Sequence, residues 1–260
     1  MHKFFFQSTV ALMLLAAAAH VKAQIRPFSG QSIQKVRPFI TDDARVVGNR
    51  LAQLESWFRG DEEASQQWAL VAYGPTPNLE LTFGGVGGVA RDANKQFTFT
   101  YALPLLQGKY LIREYAPNEP PGAAVVLGTF LPLGSGVFVP PGYGTFGFLT
   151  VSQCLLEGEI ILIHGNLGAN YLNIDGENQT IVTWGLGTQI KVYGGFHFVG
   201  ELFSGDPYIP GTGEAVQIGF RHFFSDYFQI DGTVGKGLGG RVLLPLWFSA
   251  GVRIVFTFFQ

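Results

Sequence analysis

Residues 246–259 read LWFSAGVRIVFTFF, and large apolar residues alternate there with small or polar ones. Successive side chains of a β-strand point to opposite faces, so this period of two predicts a strand with one apolar and one polar face. The apolar set is Phe248, Val252, Ile254, Phe256 and Phe258, and the opposing set is Ser249, Gly251, Arg253 and Thr257. The same alternation recurs upstream, with Phe97, Phe99 and Tyr101 against Thr98 and Thr100 in one of the clearest examples.

Counting such segments predicts about twelve strands, each close to the roughly 9 to 11 residues that a tilted membrane strand needs. They fall at residues 50–59, 67–74, 79–86, 96–106, 122–132, 145–156, 160–172, 180–192, 196–204, 215–225, 227–236 and 246–259. The predicted fold is therefore all-β, a closed antiparallel transmembrane β-barrel of the outer-membrane type over residues 50–260.

The orientation of the two faces follows from energy. An Arg or Lys facing hydrocarbon at the bilayer midplane costs about 2 to 4 kcal/mol, whereas Phe and Ile belong there. A soluble sandwich would instead bury the Phe and Ile faces and expose richly charged ones. The polar faces here are mostly Gly, Thr, Gln and Ser with sparse charges, so we expect the apolar face outward and the charged face inward.

Composition excludes several classes of protein. Only 14% of the residues are charged, and 17 Lys and Arg against 19 Asp and Glu leave no basic surplus for a nucleic-acid partner. Cys154 is the single cysteine, so an internal disulfide is impossible, and no Cys/His cluster has the spacing of a metal site. No cofactor is implied.

The N-terminus has the pattern of an exported protein. Residues 1–23 combine a basic start, a short apolar stretch and the small-residue exit Val21-Lys22-Ala23, which predicts a cleaved signal peptide. Residues 24–49 are too polar and irregular to span a membrane and are expected to form a periplasmic segment. Within it, Asp42 and Asp43 either bind a cation or meet inward Arg residues as a plug, or they form a solvated turn; the solvated turn is the commoner case and is favoured.

Connections between the strands alternate in length. Tight turns are predicted at 74–78, 157–159, 193–195 and 225–226, and longer polar stretches at 59–66, 87–95, 134–144, 173–179, 204–214 and 236–245. Outer-membrane barrels have short periplasmic turns and longer extracellular loops, which this order matches. The connection 107–121 is long on the predicted periplasmic side and is the exception.

Inward charges are the candidate functional residues. Counting back from the turn at 225–226 sets Arg221 opposite Asp231, and closing the barrel sets Arg253 near Glu55. The residues expected to line the lumen and set its selectivity are Glu55, Lys191, His197, Glu201, Arg221, Asp231 and Arg253, with His164 and Asn166 beside them. Alternatively, the two cross-strand pairs only neutralise each other and hold neighbouring strands.

Aromatic residues near predicted strand ends fit the interfacial girdles of membrane barrels. This set is Trp57, Phe58, Trp68, Tyr73, Trp184, Trp247 and Phe258. The Pro-rich stretches 139–143 and 207–210 are expected to be outer loops carrying aromatics, as first contacts for an apolar solute or simply as rigid loops.

Several short patterns occur in an order that resembles a known family. They are Arg37-Pro38-Phe39-Ile40-Thr41-Asp42-Asp43-Ala44, Pro77-Asn78-Leu79-Glu80-Leu81, Val199-Gly200-Glu201-Leu202, Gly219-Phe220-Arg221 and Gly251-Val252-Arg253. Over residues 37–259 the chain resembles the outer-membrane transporter-like family known as MetA-pathway of phenol degradation. The resemblance implies a barrel that passes small hydrophobic or aromatic molecules.

The expected function is a passive channel for such molecules, monomeric, in the outer membrane of a Gram-negative-type bacterium, with lipid and a small solute as its partners. A structural or adhesive barrel is an alternative. A lipid-modifying barrel enzyme is less favoured, because no His-x-Ser pair and no G-x-S-x-G motif is present. His222, which faces outward by parity, is the one residue that argues for the enzyme.

Overall fold

The computed structural model describes residues 40–92, 94–140, 142–156, 160–174, 177–205, 212–240 and 243–257. The predicted signal peptide 1–23, the first part of the N-terminal segment at 24–39, the loop stretch 207–210 and Phe258 lie outside the described residues. No helix within the described ranges is long and apolar enough to cross a membrane.

Twelve antiparallel strands close into one barrel, in which each strand pairs with its neighbours in sequence and the first pairs with the last. They are β1 Leu51–Gly60, β2 Ala64–Thr76, β3 Leu79–Arg91, β4 Phe97–Arg113, β5 Gly122–Ser135, β6 Gly144–Cys154, β7 Ile161–Ile174, β8 Glu177–Tyr193, β9 Phe196–Ser204, β10 Glu214–Ser225, β11 Phe228–Gly237 and β12 Trp247–Thr257. The predicted fold class and strand number are confirmed.

The two faces of the barrel are oriented as the alternation predicts. Phe97 and Ile218 are 56% and 54% exposed on the outer surface, whereas Arg221 and Arg253 are 0% and 1% exposed. An exposed belt of Phe, Leu and Val outside and buried ionic groups inside is the arrangement of a barrel whose outer surface meets lipid.

Connections differ from the prediction because several strands extend beyond the expected bounds. Residues 107–113, assigned to a long connection, belong to β4, so the connection to β5 is only 114–121. On the opposite side, β7 and β8 run on until only residues 175 and 176 separate them, where a long stretch at 173–179 is predicted. The regular alternation of short and long connections is therefore wrong at this hairpin, and also between β1 and β2, where only residues 61–63 replace the predicted stretch 59–66.

Candidate functional site

Buried ionic side chains form a belt inside the barrel, in the half nearer the start of β1. We call this belt the ionic layer, and its members are at most 5% exposed. The ionic layer consists of Glu55, Glu80, Lys109, Glu201, Arg221, Asp231 and Arg253. Charges buried at this depth require partners, because an unpaired ion in a dry interior costs several kcal/mol.

Strand register brings the predicted charge pairs together. Arg221 faces Asp231 across β10 and β11, and Glu55 faces Arg253 across the closure of the barrel. Both predicted juxtapositions are confirmed.

Glutamine side chains complete the surroundings of the two arginines. The Arg221 Nη1 donates to Gln189 Oε1 at 2.6 Å. The Arg253 Nε donates to Gln53 Oε1 at 2.7 Å, and its Nη1 donates to Gln229 Oε1 at 3.4 Å. The inner wall is thus a hydrogen-bonded network rather than a row of isolated charges.

The remaining predicted lumen residues divide between the interior and the rim. His164 is 1% exposed and His197 is 3% exposed, with the His197 Nδ1 3.0 Å from the Gly195 carbonyl oxygen. Lys191 lies opposite His197 but is exposed, because it stands at the end of the β8–β9 hairpin. It shares the inward parity of the lumen residues, so it stands at the rim of the lumen and not in its buried part.

Residues 40–49, which we call the inserted segment, lie inside the barrel as far as Val47, and Gly48 and the exposed Asn49 lead out of it to β1. Their backbone is held by side chains of the inner wall from widely separated strands. The Glu201 carboxylate on β9 accepts hydrogen bonds from the Ile40 and Thr41 N–H groups at 3.0 and 2.9 Å. At the other end of the segment, Glu80 on β3 accepts from the Val47 N–H at 2.9 Å. The segment therefore crosses the lumen from one side of the wall to the other.

The middle of the inserted segment binds β6 and β7. Thr150 Oγ1 donates to the Asp42 carbonyl oxygen at 2.6 Å, and Ser152 Oγ accepts from the Ala44 N–H at 2.9 Å. The Asn166 amide, oriented to satisfy its neighbours, donates to the Asp42 carbonyl oxygen at 2.9 Å and accepts from the Asp42 N–H at 2.7 Å. An irregular backbone inside a barrel needs such partners, because buried N–H and C=O groups are costly when unsatisfied.

The two aspartates of the segment are buried against a lysine. Lys109 Nζ lies 2.9 Å from Asp42 Oδ2 and 3.8 Å from Asp43 Oδ1, and the three side chains are 0%, 2% and 0% exposed. The favoured solvated turn at Asp42 and Asp43 is therefore wrong. The plug alternative has the right location, and one cation in direct contact with the two aspartates is Lys109, which is not in the predicted lumen set.

Glycines in the wall make room for the segment. A Cβ atom at Gly185 would lie 2.5 Å from Thr41 Oγ1, and one at Gly187 would lie 3.4 Å from the Thr41 Cβ. Gly48, where the segment turns into β1, has a φ of +99°, a conformation that L side chains rarely adopt. The Gly-rich polar face seen in the β8 sequence thus serves close packing against the inserted segment.

Aromatic side chains line the opposite half of the interior. This aromatic layer consists of Trp57, Trp68, Phe130, Phe146, Phe203 and Trp247, which lie farther from the start of β1 than the ionic layer. Trp57 and Trp68 stack with ring centroids 5.6 Å apart and planes 6° apart. Phe130 and Phe146 are 5.3 Å apart, and Trp247 is 6.5 Å from Phe203.

Three members of the predicted interfacial girdle belong to this inner layer. Trp68 and Trp247 are 6% and 3% exposed. Trp57 lies two residues after Glu55 in β1, so both side chains are on the inward face of the strand. Their assignment to a lipid interface is wrong, because proximity to a strand end does not tell which face a residue occupies. Trp184, 37% exposed, does face outward.

Two ionic residues escaped the sequence reasoning about the lumen. Lys109 lies in the stretch 107–121, which is predicted to be a connection. Glu80 occurs only in one of the short patterns that carry the family resemblance. Alternation of Gln107 and Lys109 with Leu106, Gly108 and Tyr110 was the available signal for a longer β4. Glu80 is the Cα partner of Lys109 across β3 and β4, so both belong to the same side of the wall.

Comparison with known proteins finds similarity at the level of the fold. No protein-family model matches the chain, and no curated protein matches it. An outer membrane channel from Pseudomonas putida F1 has a TM-score of 0.56 and 13% sequence identity, covering 90% of this chain and 100% of its own. The KdgM porin, in complex with disordered oligogalacturonate, has a TM-score of 0.55 and 8% identity, covering 78% of this chain and 99% of its own.

These identities show a shared fold, that of outer-membrane barrels. The outer membrane phospholipase A from Escherichia coli also matches, with 12% identity over 78% of this chain and 91% of its own. Its TM-score of 0.41 is too low to bear on activity.

Proposed function

We propose that this protein is an outer-membrane channel for small hydrophobic or aromatic molecules, and that the inserted segment closes its lumen at rest. The observation that carries the proposal is the closed barrel with an apolar outer face, buried ionic groups inside and a chain segment threaded between them. The solute class rests on the family resemblance of the sequence.

The geometry supports a narrow passage rather than an open pore. About eight strands leave an interior filled by side chains, and about sixteen leave an aqueous channel, so twelve strands give a lumen of intermediate width. The inserted segment fills part of that width, so solutes pass only when it moves. The protein acts as a monomer, and its partners are lipid and solute.

Solute entry into proteoliposomes tests this function. The solutes should be too polar to cross lipid unaided, such as methyl glucoside and phenyl glucoside, and empty liposomes serve as the control. We expect faster swelling with phenyl glucoside than with the smaller methyl glucoside, and faster swelling of both when the segment is released by Lys109→Met.

Two results would contradict the channel. Failure of every solute to enter, with the released variant as well, would indicate a structural or adhesive barrel. Release of fatty acid from the liposome lipids would indicate an enzyme instead.

A further inference from the structure

We propose that the aromatic layer is a binding site for an uncharged molecule that carries a planar ring, which docks above the inserted segment by stacking on the inward tryptophan and phenylalanine faces. This inference rests on the proposed function and specifies where its solute pauses. The ligand class follows from the chemistry of the layer alone.

The inward orientation of the tryptophan rings is not explained by contact with lipid. Trp57, Trp68 and Trp247 face the interior, so they do not anchor the barrel at a membrane interface. A lumen that only passed ions or water would gain nothing from large apolar faces there. Aromatic rings in a lumen offer flat apolar surface at little entropic cost, which suits the recognition of another ring.

The rings are arranged so that some of their surface remains open. Phe146 is 4% exposed and stands against Phe130 and Phe148, both of which are only half-buried. The Phe146 and Phe148 rings are stacked with centroids 6.4 Å apart. Trp57, stacked on Trp68, is also half-buried and packs against the same cluster. Aromatic pairs favour such offset or stacked contacts, and a ligand ring would extend the series.

One side of the layer already holds an apolar group. Ile40 of the inserted segment packs against the cluster formed by Phe203, Ala215, Leu244 and Trp247, while its backbone is bound by Glu201. The layer therefore accepts an apolar side chain directly above the point where the segment enters the ionic layer. A ring-bearing solute arriving from that half would meet Ile40 before it met any acidic group of the ionic layer.

Charge excludes ionised ligands from the same position. The Arg59 guanidinium touches the aromatic layer and already lies 4.5 Å from the centroid of the Trp247 ring. A carboxylate or ammonium on the ligand would lose its hydration among the remaining faces, at a cost of several kcal/mol. Near the segment, the polar groups Asn166, Asn170 and Thr183 line a small pocket with Phe148 and Ile40, and all three are uncharged.

Tryptophan fluorescence provides a direct test. The chain has 4 Trp, and Trp184→Phe would remove the outward one, so all remaining emission would come from Trp57, Trp68 and Trp247 inside the barrel. The protein in lipid nanodiscs would be titrated with 4-nitrobenzyl alcohol, an uncharged aromatic quencher, and with 4-nitrobenzoate. We expect saturable quenching by the alcohol, reversed by excess benzyl alcohol, and no saturation with the benzoate.

Matched Phe→Leu pairs separate the inner layer from the outer wall. Phe130→Leu with Phe146→Leu keeps the interior apolar but removes two ring faces, and should weaken binding by about fivefold or more, since the ligand ring loses two aromatic stacking partners. Phe99→Leu with Phe198→Leu, at positions 69% and 44% exposed on the outer wall, should leave the affinity unchanged.

Each other outcome overturns the site. If quenching rises linearly without saturation, or if benzyl alcohol does not compete, 4-nitrobenzyl alcohol reaches the rings only by collision. Neither measurement requires a variant of the inner layer. Tighter binding of the benzoate would contradict the uncharged class. Equal weakening by both Phe→Leu pairs would place the ligand in lipid. Saturable binding without solute entry into liposomes would refute the channel but leave the binding site standing.

Discussion

Replacing Lys109 with methionine should drive the inserted segment out of the lumen. The Lys109 ammonium is in direct contact with the two buried aspartates, at 2.9 Å from Asp42 and 3.8 Å from Asp43. Methionine keeps the apolar stem of the side chain and ends one heavy atom short of the ammonium position. It removes the charge, so the aspartates stay buried without their counter-ion whenever the segment is inserted.

The size of the effect follows from the burial of all three groups. Removing one partner of a buried ion pair costs about 3 to 5 kcal/mol. When the segment is withdrawn, water solvates the aspartates, so the penalty falls on the inserted state alone. With about 1.4 kcal/mol for each factor of ten, even about 3 kcal/mol shifts the ratio of withdrawn to inserted segment by about a hundredfold.

Thiol labelling measures that ratio. Ala44 is 0% exposed and shares its cluster with Cys154, so Ala44→Cys with Cys154→Ala moves the single thiol onto the segment with little change in packed volume. A water-soluble thiol reagent reaches position 44 only after withdrawal, and the labelling rate then tracks the withdrawn population. We expect Lys109→Met to raise the rate by about a hundredfold.

Two further variants decide whether the ion pair is the cause. Adding Asp42→Asn and Asp43→Asn to Lys109→Met removes the uncompensated charges and should restore slow labelling. Arg91→Met breaks an exposed pair, in which Arg91 lies 3.6 Å from Glu63 with 41% and 56% of the side chains exposed, and should change nothing. A Lys109→Met rate within threefold of the parent would refute the reasoning.

Three other predictions concern the same lumen. Glu201→Gln replaces an acceptor oxygen by an NH2 group facing the Ile40 and Thr41 N–H groups, so labelling at position 44 should accelerate by about tenfold, the value of one lost hydrogen bond to a charged group. Gly185→Val places a side chain against Thr41 and should also accelerate labelling, whereas Gly165→Val, whose Cβ would meet only a carbonyl oxygen at 3.8 Å, should not. With the segment released by Lys109→Met, Arg253→Ala should alter conductance and ion preference in planar bilayers; identical values in that background would remove Arg253 from the selectivity lining.

Periodicity was sufficient to predict the barrel because each strand has two chemically distinct faces. Alternation is a local property, and the closure of the barrel then fixes which residues lie opposite each other. The pairing of Arg221 with Asp231 followed from counting back from one turn, and that of Glu55 with Arg253 followed from joining the last strand to the first. Neither required knowledge of distant contacts.

Insertion of the N-terminal segment was not predictable in the same way. Thr41, Asp42 and Asp43 are polar and irregular, and such a sequence is a solvated turn in most proteins. They are buried only because residues far along the chain, such as Glu201 and Lys109, supply partners inside the barrel. Aromatic residues near strand ends were ambiguous for a different reason. Whether such a residue faces lipid or the lumen depends on its odd or even position in the strand, and not on its distance from the strand end.

Two of the predicted selectivity residues, Glu201 and Arg253, differ in how they contact the inserted segment. Glu201 accepts from Ile40, Thr41 and, at 2.5 Å, the Gln217 Nε2, so its oxygens are engaged by the segment and the wall and are not available to a solute.

Arg253 donates hydrogen bonds to the wall glutamines Gln53 and Gln229. A selectivity role for Glu201 therefore begins only when the segment withdraws, whereas Arg253 keeps its wall partners in both states. Conductance of Arg253→Ala should accordingly be compared in the Lys109→Met background, where the withdrawn state dominates. An effect that appears there and vanishes with Lys109 present would place Arg253 along the path that the segment blocks.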